Sequence, residues 1–352
     1  MSNSDFARTL AAWQRENGRR DLPWQAYSTP YERLVSEVML QQTQVETVIP
    51  YYLRFLERFP TVEALADAPE DDLMRHWAGL GYYARARNLQ RAAQDVVHLH
   101  GGRFPGTAEG LETLPGVGPS TAAAVAAFTT GEAVSPMVDG NVKRVLARIH
   151  AIRGRVGEKD FEAAVGAAAR AALPGSADIA AYTQGLMDLG SLVCRKKSPA
   201  CGECPVRDFC RARVLGTPEA FPQPKRPLVK TERRLLVGVP VSRAGVWLTR
   251  GTDTIWQGLW VPVVRETPLS EVNFGLSAAD FGLDGSWRAR SLGTMKRELT
   301  HQRLFIEAAV LECDSGDLSL KGFTAFPRDP AAWPGMPTPV RRLVMKALDG
   351  ED

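Results

Sequence analysis

Four cysteines close together constrain the fold of this 352-residue chain more than any other feature of its sequence. Cys194, Cys201, Cys204 and Cys210 follow the spacing C-x6-C-x2-C-x5-C, whereas Cys313 stands alone and is expected to be a small buried apolar side chain. Clustered thiols of this kind are typical of a metal or iron–sulfur site rather than of disulfides. Structural zinc sites usually have two tight C-x2-C pairs, and only one is present. The spacing therefore favours a 4Fe–4S cluster, with zinc as the alternative.

The composition is that of an ordinary globular protein with room for two or three domains, since 44% of the residues are hydrophobic and 24% are charged. The net charge of +3 is too small to demand or to exclude a nucleic-acid partner. No apolar run approaches the length of about 18 residues that a membrane span needs, and the N-terminal sequence MSNSDFARTL is polar. We therefore expect a cytoplasmic protein with no membrane partner.

The periodicity of the chain changes near residue 215. Helical patterns dominate before that point, and a proline-rich linker at 217–230 separates them from short β-rich runs that begin at residue 231. The expected fold class is a mainly α N-terminal region at 1–216 followed by an α+β domain at 231–352.

One predicted helix carries an isolated acid. Thr29 and Pro30 begin it, and the apolar pattern that follows runs on through Ile49, so that a single helix is expected. Glu37 falls at the edge of the apolar face. A carboxylate at an apolar edge tends to have a raised pKa, and it could therefore donate a proton near neutral pH.

Residues 111–128, LETLPGVGPSTAAAVAAF, have the pattern of two helices joined by a tight turn. Gly116 and Gly118 allow the backbone to turn and to present N–H groups outward, and either Ser120 or Thr121 could begin the second helix. Such a helix–hairpin–helix unit can hold a DNA phosphate without contacting the bases.

A second acid, Asp139, precedes another helical pattern. It could be simply a helix cap, and a capping aspartate accepts backbone N–H bonds that favour its ionised form. One protonated acid and one ionised acid are the pair that glycosidic cleavage uses. The sequence alone does not show that Glu37 and Asp139 meet.

The segments SEVMLQQTQV, GLGYYARARN, LPGVGPSTA, VDGNVKRVLAR and MDLGSLVC occur in this order, and the last of them ends in Cys194, the first residue of the cysteine cluster. Over about residues 20–213 the chain thereby resembles the adenine DNA glycosylases of the MutY type, within the helix–hairpin–helix superfamily. The resemblance implies a six-helix module at about 30–135 and an iron–sulfur module formed by 1–29 and 136–216. The remainder resembles, more loosely, a Nudix-like domain for 8-oxoguanine recognition that lacks the metal-binding signature of nucleotide hydrolases.

The resemblance also implies an activity and a partner. Such a protein would be a monomer that excises adenine opposite 8-oxoguanine or guanine in double-stranded DNA, after the adenine has left the base stack. Glu37 would protonate adenine at N7, Asp139 would stabilise the oxocarbenium-like sugar, and the four cysteines would hold a 4Fe–4S cluster.

By the same resemblance a set of residues is expected to contact DNA or the adenine pocket. They are Arg20, Trp24, Gln41, Gln42, Thr43, Leu80, Tyr82, Gly116, Gly118, Ser120, Asn141, Gln184, Thr300 and His301. The family usually has Phe-Ser-His where this chain has Leu299-Thr300-His301.

Ser120 separates two activities within the superfamily. Relatives of the endonuclease III type have a lysine here that forms a Schiff base and cleaves the strand, whereas serine cannot form an imine. A monofunctional glycosylase is therefore expected. The alternatives are an endonuclease III-like glycosylase and lyase acting on oxidised pyrimidines, and a non-catalytic iron–sulfur protein that binds DNA.

Overall fold

Helical periodicity in the first part of the chain and alternating apolar residues in the second part produce the two kinds of structure that the sequence predicts. The computed structural model describes residues 2–25, 29–225, 228–252, 255–269, 276–283, 286–313 and 320–349. Residues 226 and 227 of the predicted linker lie outside this described part.

The described α-helices are α1 (Asn3–Asn17), α2 (Pro30–Leu40), α3 (Val45–Arg58), α4 (Val62–Ala66), α5 (Glu70–Trp77), α6 (Ala84–His100), α7 (Ala108–Leu111), α8 (Pro119–Thr129), α9 (Gly140–His150), α10 (Lys159–Ala171), α11 (Ser176–Asp188), α12 (Arg211–Val214) and α13 (Thr338–Leu348). The described strands are β1 (Thr231–Ser242), β2 (Gly245–Arg250), β3 (Trp260–Val261), β4 (Val263–Thr267), β5 (Arg288–Glu298), β6 (Gln302–Glu312) and β7 (Thr324–Phe326). No described helix is both long and apolar enough to cross a membrane.

The chain divides into two compact units. Met1–Ala68 and Ala84–Arg226 form the first, which we call the helical unit. Pro69–Tyr83 and Pro227–Asp352 form the second, which we call the mixed-sheet unit. The segment 69–83, with helix α5, thus packs with residues that follow it by more than 150 positions, which the local sequence pattern did not predict.

The single helix predicted after Thr29 is wrong, because the structure has two helices there. Helix α2 ends at Leu40 and α3 begins at Val45. The Nη1 atom of Arg85 on α6 donates to the carbonyl oxygens of Val38, Met39 and Gln41, at 2.8, 3.0 and 2.6 Å. These bonds satisfy carbonyl groups that end the helix, so the chain can leave it and form the partly exposed loop at 41–44.

Helix α8 packs against α2 in the helical unit. Its first residue is Pro119 with Gly118 as its N-cap, one position before the predicted start at Ser120 or Thr121. Proline at the first helical position has no N–H group to leave unsatisfied there. The buried alanines from Ala122 to Ala127 occupy little space, which allows neighbouring helices to approach α8 closely.

The mixed-sheet unit is built around strand β1. This strand is parallel to β6 along nearly its whole length and antiparallel to β4 and β2, while β5 pairs with the outer side of β6. Its second half is buried, as expected for a central strand. Cys313 lies in the core beside this sheet and is 6% exposed, which confirms the sequence prediction for it.

Helix α5 is held in the mixed-sheet unit by one acid. The indole N–H of Trp260 donates to Oδ1 of Asp71 at 2.9 Å, and Arg250 forms an ion pair with the same oxygen at 2.7 Å. The Arg250 guanidinium also lies 4.4 Å from the centre of the Trp260 ring. These contacts attach the segment that carries Tyr82 to strands β2 and β3.

Candidate active site

Glu37 is a half-buried acid near the end of α2. Burial raises the pKa of its carboxyl group to about 7. The positive charge of Arg33 opposes that rise, and the negative charge of Asp139 adds to it. With this pKa the carboxyl group is about half protonated near neutral pH, so it can both release and regain a proton there.

Asp139 is the N-cap of α9, as the sequence predicts. Its Oδ1 accepts the backbone N–H of Val142 at 2.8 Å, and its Oδ2 accepts the side-chain amide of Asn141 at 3.4 Å. Burial nevertheless raises the pKa of Asp139, and the N–H bonds and the charge of Arg144 only oppose this rise. The cap chemistry alone pointed to a lowered pKa, because burial of the site was not visible in the sequence.

The fold brings Glu37 and Asp139 together, although about a hundred positions separate them in sequence. They lie close enough for the Asp139 charge to raise the pKa of Glu37. Two acids in one buried site cannot easily ionise together, because the charge of either one disfavours ionisation of the other. The pair can therefore supply a proton donor and an anion at the same place.

The hairpin before α8 approaches this site. Gly116 has a left-handed backbone with φ +75°, and a Cβ atom there would lie 2.5 Å from that of Asn88, so only glycine fits. The Ser120 hydroxyl donates to the carbonyl oxygen of Val138, next to Asp139, at 2.8 Å. The hairpin is thus joined to the turn that carries the second acid.

The loop between α2 and α3 carries the three predicted DNA-contact residues Gln41, Gln42 and Thr43. Gln42 is exposed and has a left-handed backbone with φ +57°. The Gln41 amide donates to the Thr121 hydroxyl at 3.3 Å, and Arg85 donates to the Thr43 hydroxyl at 3.4 Å. The loop is therefore held at both ends, while its central side chain is left available.

The four clustered cysteines all line one cavity. Burial raises the pKa of the Cys204 thiol to about 12 and also raises that of Cys210, while the nearby sulfurs add to both effects. In the described part of the chain, no group of three or more His, Cys, Asp or Glu side chains is arranged closely enough to hold a single metal ion. Four thiols around one cavity are a donor set that fits an iron–sulfur cluster, whose positive irons favour the thiolate form.

Two arginines of α9 support the cysteine loop. Arg148, which is 2% exposed, donates to the Cys194 sulfur at 3.2 Å and to the carbonyl oxygens of Arg195 and Lys196 at 2.7 and 3.1 Å. Arg144 donates to the Cys194 carbonyl oxygen at 2.8 Å and to the Asn141 amide oxygen at 2.9 Å. Arg144 therefore connects the cysteine loop with the cap that contains Asp139.

In the mixed-sheet unit, Tyr82 and Thr300 form a second candidate site. Tyr82 is 47% exposed, has a left-handed backbone with φ +49°, and its hydroxyl lies 2.9 Å from that of Thr300. Both neighbouring residues of Thr300 are also exposed, and the His301 carbonyl oxygen accepts a bond from the Thr231 N–H at 3.1 Å. An aromatic ring and a hydroxyl group are thus presented side by side.

Comparison with known proteins decides the family. The family model of the HhH-GPD superfamily of base excision DNA repair proteins matches residues 35–169, and that of the iron–sulfur binding domain of endonuclease III matches residues 194–210. The adenine DNA glycosylase of Buchnera aphidicola subsp. Acyrthosiphon pisum is 33% identical over 261 residues, which are 74% of this chain and 74% of that protein. The chain belongs to the adenine DNA glycosylase family. It is therefore an enzyme of base excision repair with an iron–sulfur binding segment.

For other members of the adenine DNA glycosylase family, this chain matches a smaller share of the relative's length. The protein from Buchnera aphidicola subsp. Baizongia pistaciae is 39% identical over 60% of this chain and 59% of that protein. The human protein is 42% identical over 59% of this chain and 39% of that protein. The chain thus spans less than two thirds of the length of both these relatives.

The solved structure of a thermostable thymine-DNA glycosylase has the same fold, with a TM-score of 0.54 and 26% identity over 60% of this chain and 97% of that chain. The solved structure of a non-covalent complex of endonuclease III with DNA has a TM-score of 0.50 and 23% identity, and the match covers 61% of this chain and 98% of that chain. The helical region therefore has the HhH-GPD fold, and an α+β domain with a mixed sheet follows it.

The remaining residues that this family resemblance assigned to the adenine pocket or to DNA contact differ in exposure. Arg20 is exposed and donates to the Glu16 carbonyl oxygen at 3.0 Å. Trp24 is 2% exposed and packs edge-on against a tyrosine of α3, and Leu80 is 6% exposed. Gln184 is 6% exposed and its amide donates to Asp188 at 2.9 Å. Trp24, Leu80 and Gln184 are therefore buried in this structure, whereas Arg20 is exposed.

Four arginines of this site were missed at the sequence level, namely Arg33, Arg85, Arg144 and Arg148. Only two weak signals were available. Arg33 lies four positions before Glu37, and Arg144 and Arg148 lie four positions apart, so that each pair shares a helix face. For Arg85 the sequence contains no such signal, because its acceptors are more than 40 positions away.

Proposed function

We propose that this enzyme excises adenine opposite 8-oxoguanine or guanine in double-stranded DNA, and that it leaves an abasic site without cutting the strand. The observation that carries this proposal is the pair of Glu37, whose pKa is about 7, and Asp139. An acid with this pKa suits proton transfer to a base near neutral pH, and a neighbouring acid suits a developing positive charge. The names of the matched relatives support adenine as the base.

In the proposed reaction Glu37 donates its proton to N7 of an adenine that has left the base stack. The C1′–N9 bond then breaks, its electron pair leaves with the base, and positive charge develops on the sugar. The Asp139 carboxylate stabilises that charge. Water adds its oxygen to C1′ and gives a proton to the Glu37 carboxylate, which restores the acid, so that free adenine and an abasic sugar are the products and Asp139 remains an anion.

The environment of Ser120 supports a reaction without strand cleavage. Its hydroxyl donates a hydrogen bond to a backbone carbonyl group, and the serine side chain has no amine that could form an imine. Lys143, one turn after Asp139, forms an ion pair with Glu162 at 2.7 Å. This ion pair holds the Lys143 side chain to Glu162 of α10.

Two groups of residues are proposed to bind the DNA. In the helical unit, the backbone N–H groups at Gly116 and Gly118 would hold a phosphate, and Gln41, Gln42 and Thr43 would contact base edges. In the mixed-sheet unit, Tyr82 would stack beside 8-oxoguanine, and Thr300 and His301 would be polar contacts to the same DNA strand. The exposure of Gln42 and Tyr82 supports this assignment.

Cys194, Cys201, Cys204 and Cys210 are proposed to hold a cluster of the 4Fe–4S type, since four thiols surround one cavity. These four side chains would hold the cluster as thiolates at the ends and in the middle of the 194–210 segment. The segment would then present Arg195, Lys196 and Lys197 as a fixed basic loop suited to DNA phosphates.

We also propose the division into a catalytic helical region at 1–216, a linker at 217–230 and an 8-oxoguanine-recognition domain at 231–352. Within the first, about 30–135 would be the six-helix module, and 1–29 with 136–216 the cluster module. The enzyme would act as a monomer in the cytoplasm, on the nucleoid DNA that contains its proposed substrate.

A single-turnover assay tests the function. Duplexes would carry adenine opposite 8-oxoguanine, adenine opposite guanine, adenine opposite thymine, or an oxidised pyrimidine, and base release and strand scission would be scored separately. We expect adenine release from the first two, with strand breaks only after alkali. Release of the pyrimidine with spontaneous strand breaks would show an endonuclease III-like enzyme. DNA binding with no base release would show a non-catalytic protein.

A Glu37→Gln variant completes the test. Glutamine has the same size and can still hydrogen-bond, but it cannot donate the proton. The variant should bind the mismatched duplex and release adenine at least about a thousandfold more slowly. Unchanged release would remove Glu37 from the mechanism.

A further inference from the structure

A buried positive charge lies one helical turn before Glu37. Arg33 is on α2, is only 5% exposed, and shares a helix face with Glu37 because four positions separate them. Arginine is almost never fully buried unless it is paired with other groups. The proposed reaction does not use this residue, so its burial needs another explanation.

An aromatic ring holds the guanidinium in place. The central carbon of the Arg33 guanidinium lies 4.1 Å from the centre of the Phe128 ring on α8. The Nε atom has no hydrogen-bond partner in the described part of the chain. Burial lowers the pKa of Arg33, and the charge of Glu37 opposes this effect. The ring thus fixes the position of a cation whose charge is compensated in part by Glu37.

Among the described residues, few other charged or titratable groups face this pair. Helix α8 has no titratable residue, and α3 contributes the buried Tyr52. The start of α9 contributes Asp139, with Arg144 beyond it, and α6 contributes Arg85, which is bonded to backbone carbonyl groups. Of these groups, Asp139 and Arg33 act on Glu37 in opposite directions.

We propose that Arg33 is a positioning residue for the acid, a fixed buried charge that determines the pH above which this enzyme loses activity. The inference rests on the proposed role of Glu37 as proton donor. Without the Arg33 charge, burial and Asp139 would act on Glu37 unopposed, and the carboxyl group would keep its proton to higher pH. It would also be a weaker acid towards adenine, because its conjugate base would lie beside Asp139 without a counter-charge.

The test compares two substitutions that differ in charge. Arg33→Met keeps most of the volume and removes the charge, whereas Arg33→Lys keeps the charge. Single-turnover adenine release opposite 8-oxoguanine would be measured with enzyme in excess from about pH 5 to about pH 9. For Arg33→Met we expect the alkaline limb of the plot of rate against pH to move up by about one pH unit. The plateau of the rate at acidic pH should be lower than in the unchanged enzyme. The limb of Arg33→Lys should stay close to that of the unchanged enzyme.

A merely structural role of Arg33 predicts a different pattern. Loss of packing against Phe128 would lower the melting temperature and the amount of active enzyme in both variants, but it would leave the limb in place. An unmoved limb in folded Arg33→Met would therefore overturn the proposal. If that variant does not fold, Arg33→Gln, which is also uncharged and can hydrogen-bond, takes its place with the same criterion.

A second readout does not depend on activity. Glutamate labelled with ¹³C at the carboxyl group would be titrated by NMR, and the Glu37 signal would be identified by its absence in Glu37→Gln. A higher titration midpoint for Glu37 in Arg33→Met would support the proposal, and an equal midpoint would overturn it. If Glu37→Gln excises adenine normally, the proposed function fails, whereas the NMR comparison still decides whether Arg33 acts on Glu37.

Discussion

The hydroxyl of Tyr82 lies 2.9 Å from the hydroxyl of Thr300, although 218 positions separate the two residues. Both belong to the mixed-sheet unit, because helix α5 and the turn after it pack with the strands rather than with the preceding helices. The contact therefore joins the proposed 8-oxoguanine-stacking ring to the loop that replaces the family's usual Phe-Ser-His.

We expect this contact to contribute to discrimination between 8-oxoguanine and guanine. Tyr82→Phe and Thr300→Val each remove one hydroxyl and keep the size of the side chain, and each should lower the rate ratio for the two opposite bases roughly fivefold, the equivalent of about 1 kcal/mol. The double variant should lose little more than either single variant, because both remove the same bond. Fully additive losses in single-turnover rates would show that the two hydroxyls act independently.

The raised pKa of Glu37 predicts that its ionisation destabilises the folded protein. Its carboxyl group has a pKa of about 7 in the folded protein and about 4.5 in the unfolded chain, so the free energy of unfolding falls as the pH rises through this range. Glu37→Gln removes that penalty. It should be more stable than the unchanged enzyme at about pH 8, by on the order of 2 kcal/mol, and nearly equal to it at about pH 4. Urea unfolding at both pH values would measure this, and equal differences at the two pH values would contradict it.

Arg85 is expected to hold the loop at 41–44 through its bonds to three carbonyl groups at the end of α2. Arg85→Met should lower the free energy of unfolding by about 2 kcal/mol, because those carbonyl groups lose their donor. It should also slow adenine release at least tenfold, because a shifted 41–44 loop would no longer hold the DNA in the geometry that the reaction needs. Arg91→Met is the matched control, because Arg91 is an exposed residue of the same helix. Equal melting curves and rates for the two variants would argue against this role.

Arg148 is expected to be required for a stable cysteine loop. Arg148→Met would leave the carbonyl groups of Arg195, Lys196 and Phe221 without this donor, at a cost of about 3 kcal/mol. The variant should therefore contain less iron and show weaker visible absorbance than the unchanged enzyme after identical purification. Arg211→Met, at an exposed position of α12, should keep its full iron content. Full iron content in Arg148→Met would contradict the prediction.

Much of the fold and part of the site could be predicted from the sequence, because they depend on neighbours within a few positions. The cap at Asp139, the hairpin glycine at Gly116, the cysteine spacing and the change from helices to strands all have local causes. The break between α2 and α3 could not be predicted, since a side chain from α6 produces it.

The sequence by itself thus determined which groups this enzyme contains, namely two candidate acids, four clustered thiols and a serine where a lyase would need lysine. Only the tertiary structure decided that Glu37 meets Asp139, that burial raises the pKa of both, and that Arg33 lies beside them. The physical reason is that desolvation and long-range charge depend on how distant helices pack. That packing is the sum of many weak contacts, and no short segment of the sequence encodes it.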